Sequence, residues 1–488
     1  MSSLRRYAPG FTLALALICL YLYRLAGVGV LDPDEPRYLA IGRAMTASGD
    51  YITPRLWGSP WFEKPPLLYW LTSLGTALHL GPELCGRLPV AILSLAFLTA
   101  MFFLLRAEFG SECAAIASAL LAASVGWLAY SSLALTDLPL AVFYSLAVFL
   151  ALPLIRLPLE QRPQTFRFML IGVSLGFGTL AKGLVPIVLA LPFFWFLRRW
   201  WRSWWISLGA LLLVALPWYL AVFVRNGKPF LEEFFWKHHF ERVYSASLLH
   251  VQPWWYYLPV LLGALLPWTP LFGLLFLRRV RWDERQRFLA VCAGFGLLVF
   301  SVVMNKLPGY LLPLIPSAFA LLAISVSRTG HVRSLRYWLI PCAIFIGSLP
   351  LVAQILPDLL AAGKISLPRI PHIGATEAFY IATPLAVALL ARRSWTGALL
   401  VLCFVAGGFY LKIAAFPVLD RTASARSTWQ HLKDVKGSIC DDWLARKWAY
   451  GLALYRGEPY PPCSSGAYDF ALRAYEKNAP VLVPESKR

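Results

Sequence analysis

The sequence predicts an all-α, polytopic membrane protein with about thirteen transmembrane helices and a small α/β domain at its C-terminal end. Of its 488 residues, 59% are hydrophobic and 14% are charged, whereas about 25% are charged in a soluble domain. Apolar stretches long enough to cross a hydrocarbon core of about 30 Å recur almost to the end of the chain. These stretches exclude a soluble enzyme, and they are too long for the strands of a porin barrel.

The membrane spans are predicted from runs of apolar residues. The 20 Trp and 21 Tyr residues suit a chain with many segments that end at a membrane–water interface. The predicted spans are residues 10–30, 84–105, 113–133, 138–155, 168–181, 183–197, 205–224, 256–277, 288–304, 308–327, 336–356, 377–391 and 395–415.

The loops between these spans predict the orientation of the chain. Arg5 and Arg6 precede the first span, which places the N-terminus in the cytoplasm. Every inner loop then carries arginine and none carries lysine, as the positive-inside bias requires. These loops are RAEFGSE, RLPLEQRPQTFR, RRWWRSW, RRVRWDERQR, SRTGHVRSLR and RRS.

The outer segments divide the chain into two expected domains. Residues 1–415 form the transmembrane domain, which includes a long outer loop at 31–83, and residues 416–488 form an outer C-terminal domain. Cys440 and Cys463 are the two cysteines of that outer tail. They could form a disulfide in an oxidising compartment, but two cysteines carry too little pattern to decide between a bond and free thiols.

A set of ionisable residues of mixed sign beside the apolar spans falls on the outer side. One such residue could be an anchor that extends to the interface, but many residues of mixed sign indicate a water-accessible cavity at the outer leaflet. The residues are Asp34, Glu35, Arg37, Glu63, Lys64, Asp137, Lys182, His238, His239, Arg242 and Lys306.

The segment LDPDEPRYLAIGRAM predicts a helix at the start of the first outer loop. Pro36 suits the first turn of a helix, and Gly49 is expected to end it. The acids at its start could simply cap the helix or could take part in chemistry. The candidate site residues of this turn are Asp34, Glu35, Arg37 and Tyr38.

Several basic residues could bind a phosphate or pyrophosphate lipid head, because lysine is a compact point charge suited to phosphate. The alternative is that each anchors its helix at the interface. Asp137 could cap a helix, or it could be a second acid that faces a cationic sugar, a metal or a basic side chain. The basic candidates are Lys64, Lys182, Arg242 and Lys306, with Tyr310 one turn after the last.

The histidines of the loop FFWKHHFERV lack the spacing of a zinc enzyme. Glu63 with His239 is nevertheless a candidate two-ligand cation site. The net charge of +20 would suggest nucleic acid in a soluble protein. In this chain it indicates membrane topology and an anionic substrate, because there is no zinc-finger, RNA-recognition or Walker pattern, and no nucleic-acid partner is expected.

The segment LDPDEPRYLAIGRAMTASGDYITPRLWGSPWFEKPPLLYW resembles the first periplasmic loop of bacterial lipid A 4-amino-4-deoxy-L-arabinose transferases. These are polyprenyl-phosphate-sugar-dependent C-type glycosyltransferases, distantly similar to protein O-mannosyltransferases. The resemblance continues through SLALTDLPL, LAKGLVP, FFWKHHFERV and NKLPGYLLP, and weakly in RKWAYGLALYRGEPYPPC. It implies the C-type glycosyltransferase fold, a bacterial inner (plasma) membrane location and a periplasmic C-terminal domain.

The resemblance also implies roles for individual residues. Asp34 matches the catalytic loop acid, Lys64 matches the lysine that holds the lipid phosphate, and Asp137 matches a second cavity acid. Glu63 and His239 match a pair that can ligate a metal ion near the phosphate. Glu35, Arg37 and Tyr38 accompany the catalytic acid, and Arg242 and Lys306 match polar or basic cavity positions.

The implied activity is inverting transfer of a sugar from an undecaprenyl-phosphate carrier to an envelope acceptor, most specifically aminoarabinose to a lipid A phosphate. The implied activity requires no cofactor, and a divalent zinc or magnesium ion at the metal pair is an option. The alternatives are transfer of another sugar to lipopolysaccharide, polysaccharide or protein, a lipid-sugar flippase, and a non-catalytic assembly or receptor subunit. A flippase would favour polar residues across the midplane, whereas these charges cluster at one edge.

Overall fold

The computed structural model describes residues 2–156, 164–234, 236, 251–277, 282–328, 332–362, 371–390, 396–474 and 479–485. Its α-helices are Ser2–Leu22, Asp34–Ser48, Leu67–Ala77, Leu84–Phe109, Ser111–Ala122, Val125–Tyr130, Asp137–Arg156, Thr165–Lys182, Val185–Leu189, Leu191–Phe196, Trp204–Asn226, Lys228–Leu231, Tyr257–Ala264, Leu274–Leu277, Glu284–Val302, Ile315–Arg328, Val332–Gly347, Leu349–Ala362, Ala375–Leu390, Thr396–Ala414, Phe416–Thr422, Ala425–Leu432 and Arg446–Arg456. Its 3₁₀ helices are Arg198–Ser203, Trp254–Tyr256, Thr269–Gly273, Pro308–Leu314 and Cys463–Ser465.

The predicted class of a helical, multi-pass membrane protein is confirmed. Six helices of the described residues are long and apolar enough to span a membrane, and two bent helix pairs raise the number to eight. The other five predicted spans coincide with helices that are shorter or less apolar. Length and composition therefore account for eight spans, and the number thirteen stays a prediction.

The breaks in the shorter spans have local causes. The predicted span 113–133 divides at Ser124, whose backbone is extended, and the next residue, Val125, donates its N–H to the carbonyl of Leu266 at 2.8 Å. In the predicted span 183–197, Pro186 and Pro192 each lie in the first turn of a new short helix, where proline loses no helical hydrogen bond.

Two spans form the centre of the helix bundle. About four fifths of the most apolar stretch is buried in Asp137–Arg156 (78%) and in Pro308–Ser327 (83%), against 33–39% in the other four long spans. The latter therefore leave most of their surface for lipid. The two central spans carry candidate site residues at their first turns, so the predicted site lies at one end of the bundle centre.

The C-terminal tail folds as a small mixed sheet with helices. Strands β3 (Ile439–Asp441), β4 (Phe470–Arg473) and β5 (Val481–Pro484) pair in that order, parallel between β3 and β4 and antiparallel between β4 and β5. Strands β1 (Arg55–Leu56) and β2 (Ser59–Pro60) form a separate hairpin in the first outer loop. The α/β pattern expected of the tail is present, and Cys440 and Cys463 are joined in a disulfide.

The first-loop helix (Asp34–Ser48) lies between Leu67–Ala77 and the C-terminal helix (Arg446–Arg456). As predicted, it ends at Gly49, whose φ of 70° is a left-handed conformation that glycine adopts without strain. At Gly42 a side chain would lie 2.5 Å from the Thr72 Cβ, so glycine permits the close approach to the neighbouring helix. On the other side, Arg43 Nη1 donates to the Leu454 carbonyl at 3.0 Å.

We expect the disulfide to stabilise the folded tail. Because it closes a loop across a sequence separation of 23, replacing Cys440 and Cys463 with serine should destabilise the tail by about 3 kcal/mol. Hydrogen–deuterium exchange should then show faster exchange in β3 and β4 and unchanged exchange in the central spans. Cys403→Ser is the control. Equal exchange rates in the double variant and the wild type would contradict the expectation.

Candidate active site

Asp32 caps the helix that carries the first site residues. Its carboxylate oxygen Oδ1 accepts the backbone N–H groups of Asp34 and Glu35 at 2.6 and 2.9 Å, so it satisfies donors that the first turn of the helix leaves without partners. Asp32 was not among the predicted site residues. The sequence signal that could have found it is an aspartate two residues before the helix, across a proline.

Arg37 joins the two acids of the first outer loop. Its Nη1 donates to Glu63 Oε2 at 2.7 Å, its Nη2 donates to Asp34 Oδ1, and its Nε donates to the Pro33 carbonyl at 3.0 Å. Burial lowers the pKa of Arg37, but the carboxylates of Glu63 and Asp34 outweigh burial and hold its pKa above the usual value. The guanidinium is therefore a fixed positive charge.

Lys64 completes a charge-balanced group. Its Nζ lies 3.3 Å from Glu63 Oε1, so two cations alternate with two carboxylates in the chain Asp34–Arg37–Glu63–Lys64, which we call the loop cluster. The side chains of Arg37, Glu63 and Lys64 are at most 10% exposed, whereas that of Asp34 is 36% exposed. Asp34 is thus the acid of the cluster that a substrate can reach.

A second charge pair lies where the first turn of the central span Asp137–Arg156 meets the last turn of Thr165–Lys182. Lys182 Nζ donates to Asp137 Oδ1 at 2.5 Å and lies 4.3 Å from the centre of the Tyr310 ring. At Gly309 a side chain would lie 2.6 Å from Asp137 Cγ, so glycine allows the chain to pack against this carboxylate. The structure brings these three predicted residues, Asp137, Lys182 and Tyr310, into one group.

Tyr130 connects the two groups. It lies within electrostatic range of Asp137 and of Asp32, and its ring would be 2.8 Å from a side chain at Gly309. The start of the first outer loop and the Asp137–Lys182 pair therefore share one end of the bundle. Tyr130 was not predicted, because nothing in a short helix of apolar residues marks one tyrosine as special.

Glu35 lies in a different environment from Asp34. It is fully buried, and its carboxylate accepts from Arg87 Nε and Nη2 at 2.7 and 2.6 Å and from the Ala134 N–H at 3.0 Å. Arg87 also donates to the carbonyls of Leu25, Val28 and Gly29. Glu35 therefore fastens the helix start to the bundle, and it has no surface on which a substrate could bind.

Two other predicted residues are also occupied within the protein. Lys306 is buried, and its Nζ donates to the carbonyls of Gln252 and Val303 at 3.1 and 2.6 Å. Burial lowers its pKa. Tyr38 is buried beside Arg37 and packs on Tyr69, with ring centres 5.9 Å apart. The predictions for His238, His239 and Arg242 lie outside the described residues.

The predicted metal pair of Glu63 and His239 stays a prediction, because His239 lies outside the described residues. Among the described residues, the two carboxylate oxygens of Glu63 face Arg37 and Lys64. Elsewhere in the described chain, Cys440, Cys463 and Glu485 come together. Both sulfurs are in the disulfide and offer no thiolate to a metal.

The matches to known proteins agree with this arrangement. Residues 9–261 match the family described as dolichyl-phosphate-mannose-protein mannosyltransferase. The chain belongs to this family. The match covers the whole loop cluster and the Asp137–Lys182 pair.

Among similar proteins, the undecaprenyl phosphate-alpha-4-amino-4-deoxy-L-arabinose arabinosyl transferase of Pseudomonas aeruginosa (strain UCBPP-PA14) is 35% identical over 341 residues, which cover 66% of this chain and 61% of that protein. The transferase of the same description from Edwardsiella ictaluri (strain 93-146) is 32% identical over 348 residues, covering 68% and 61%. The chain thus spans about three fifths of the length of these relatives.

A solved structure shows the same fold. The crystal structure of ArnT from Cupriavidus metallidurans bound to undecaprenyl phosphate superposes with a TM-score of 0.76 over 93% of this chain and 85% of that one, at 23% identity. The apo crystal structure of the same protein gives a TM-score of 0.73. The helical arrangement described above is therefore the fold seen in these two crystal structures.

Because Glu35 is paired with Arg87 in the interior, we expect substitutions of Glu35 and Asp34 to differ in their effect on folding stability. Glu35→Ala leaves Arg87 charged and unpaired in the protein interior, which should cost about 3–5 kcal/mol of folding stability. Asp34→Ala removes a partly exposed side chain and should leave the protein folded. Thermal unfolding in detergent, followed by size-exclusion chromatography, measures the difference. Equal unfolding temperatures for the two variants would contradict the structural role of Glu35.

Asp32 predicts a pH-dependent stability. Burial, and secondly the Glu35 charge, raise the pKa of Asp32 from 3.8 to about 7. The folded state therefore binds the Asp32 proton more tightly than the unfolded state, and this contribution to stability is lost as the pH rises from about 4 through about 7. Asp32→Asn keeps the oxygen that accepts the helix N–H groups and should flatten that decline. Asp50→Asn is the control, because the pKa of Asp50 is lowered. The same decline in Asp32→Asn as in the wild type would count against the assignment.

Proposed function

We propose that this protein is an inverting glycosyltransferase that moves a sugar from an undecaprenyl-phosphate carrier to an envelope acceptor. The observation that carries the proposal is the loop cluster, in which a substrate-accessible acid is held beside two cations at one end of a membrane bundle. Membership of the mannosyltransferase family and the activity named for the arabinosyl transferase relatives support it.

The departing phosphate would bind at Lys64 and Arg37. The contact between Lys64 and Glu63 is 3.3 Å long, and a lipid phosphodiester could take the place of Glu63 beside the ammonium. Cations that are already in position stabilise the negative charge that develops on the leaving group. They lower the activation barrier of the transfer because the protein does not have to reorganise during the reaction. Because the carrier brings its own leaving group, no nucleotide-binding loop is needed, and no step of the proposal passes through a metal ion.

Asp34 would act on the other side of the reacting carbon. The anomeric centre becomes cationic in the transition state of glycosyl transfer, and a nearby carboxylate can stabilise that charge, orient the acceptor or accept its proton. A phosphate acceptor is already anionic and needs little help from a base, so positioning is the proposed role. One direct displacement inverts the anomeric carbon.

The proposed sugar and acceptor are 4-amino-4-deoxy-L-arabinose and a lipid A phosphate, as the relatives' names suggest for the donor. Asp137 would then face the sugar's cationic amino group from the Asp137–Lys182 pair. Transfer of another sugar to lipopolysaccharide, polysaccharide or protein is the alternative within the same chemistry. We assign Glu35, Tyr38 and Lys306 positioning roles within this site, because each is buried against other parts of the protein.

The proposed location is the bacterial inner membrane, with a cytoplasmic N-terminus, thirteen spans and a periplasmic domain at residues 416–488. Arginine in every second loop supports the orientation. The disulfide supports a tail in an oxidising compartment. We propose that the five predicted spans with shorter or less apolar helices also cross the membrane.

The proposal is tested by transfer in proteoliposomes. With undecaprenyl-phosphate aminoarabinose as donor and lipid A as acceptor, Asp34→Ala and Lys64→Ala should each reduce turnover about 100-fold or more. Asp434→Ala and Lys433→Ala, two exposed residues of the tail, are matched controls. Mass spectrometry of lipid A measures the added sugar.

Wild-type turnover by the Asp34→Ala variant would refute the role of that acid. Movement of the donor across the bilayer by the wild type, without a covalent product, would favour a flippase instead.

A further inference from the structure

Three aromatic side chains border the loop cluster on the side of the C-terminal tail. Trp57 lies in the turn of the β1–β2 hairpin, Trp61 follows β2, and Tyr450 belongs to the C-terminal helix. The rings of Trp57 and Tyr450 are 5.4 Å apart and tilted by 40°. The Arg37 guanidinium lies 5.5 Å from both the Trp61 and the Tyr450 ring centres. We call these three residues the aromatic ledge.

The backbone of Trp57 is strained. Its φ is 48° and that of Gly58 is 86°, the pattern of a two-residue hairpin turn that normally takes asparagine, aspartate or glycine at both positions. A bulky side chain rarely adopts this conformation, and it persists where surrounding contacts hold it. The Trp57 side chain packs against Tyr450.

Tyr450 is held firmly in place. The C-terminal helix is tied to the first-loop helix by the bond from Arg43 to Leu454. The Tyr455 hydroxyl donates to Glu83 Oε1 at 2.6 Å and accepts the Val30 N–H at 3.1 Å. At Gly451 a side chain would lie 2.5 Å from the Ala425 Cβ, so the helix is closely packed. The tail therefore contributes a rigid wall to the site.

The ledge offers the groups that a sugar ring uses. Each of its three side chains is half-buried, which leaves part of each ring accessible. The indole N–H groups of Trp57 and Trp61 are buried, so the ring surfaces are the parts of these side chains that a ligand reaches. The apolar face of a sugar ring packs on an aromatic ring.

We propose that the aromatic ledge binds the sugar ring of the acceptor, and that the C-terminal tail thereby helps to select the acceptor. This inference rests on the proposed glycosyl transfer and extends it to the second substrate. The donor phosphate is assigned to Lys64, whereas the ledge borders the cluster at Arg37, on the side of the tail. Arg446 lies one helical turn before Tyr450 and is exposed, so the fitting ligand is a sugar that carries phosphate.

The test is a kinetic comparison in which lipid A is the varied substrate. Tyr450→Ala should raise the KM for lipid A about tenfold, the loss expected for one aromatic contact of about 1–1.5 kcal/mol, and leave the KM for the undecaprenyl-phosphate sugar unchanged. Tyr450→Phe keeps the ring and should restore the wild-type KM. Tyr468→Ala, in the same tail, is the control. An unchanged KM for lipid A, or an equal rise in both KM values, would overturn the inference.

A binding measurement separates this inference from the proposed activity. Hydrogen–deuterium exchange of the wild type with lipid A alone, without donor, should show protection of residues 55–60, and Tyr450→Ala should abolish that protection. If the wild type shows this protection but no turnover, the proposed reaction is contradicted and the proposed binding of the acceptor at the ledge stands. Turnover without protection would overturn the ledge and keep the reaction.

Discussion

The guanidinium of Arg37 is the interaction on which the site depends. It joins an acid at the start of the first-loop helix to an acid from the following segment, and it packs against aromatic rings from that segment and from the C-terminal tail. A planar cation with several donors is suited to this position, because lysine could not hold two carboxylates in fixed directions. Arg37 therefore holds the first-loop helix, the segment that follows it and the C-terminal tail in fixed positions relative to one another.

Charge balance explains why the cluster can be buried. Isolated charges in a protein interior are costly, and pairs are tolerated when each member has partners. Arg37, Glu63 and Lys64 satisfy one another, as do Asp137 and Lys182, and Glu35 is satisfied by Arg87. A lipid phosphate that enters such a site meets cations already in position and exchanges one anionic partner of Lys64 for another.

Much of the helical fold could be predicted from the sequence, because apolar length is a strong signal in a membrane protein. The start and end of the first-loop helix followed from Pro36 and Gly49. The grouping of Asp137, Lys182 and Tyr310 was less accessible, since it depends on how the central spans pack. Glu35 shows the limit most clearly, because adjacent acids on a helix diverge by about 100° and only the position of Arg87 decides which one is buried. The contribution of Tyr450 depends on how the tail docks, and no local pattern encodes that contact.

The central claim is that the carrier phosphate binds at the loop cluster. A cryo-EM structure of the protein in lipid nanodiscs with undecaprenyl phosphate tests it most directly. The account predicts phosphate density within hydrogen-bonding distance of Lys64 and on the Arg37 side of Glu63, with the Glu63–Lys64 contact opened. Phosphate density among the arginines of the inner loops, with the loop cluster unchanged, would contradict the account.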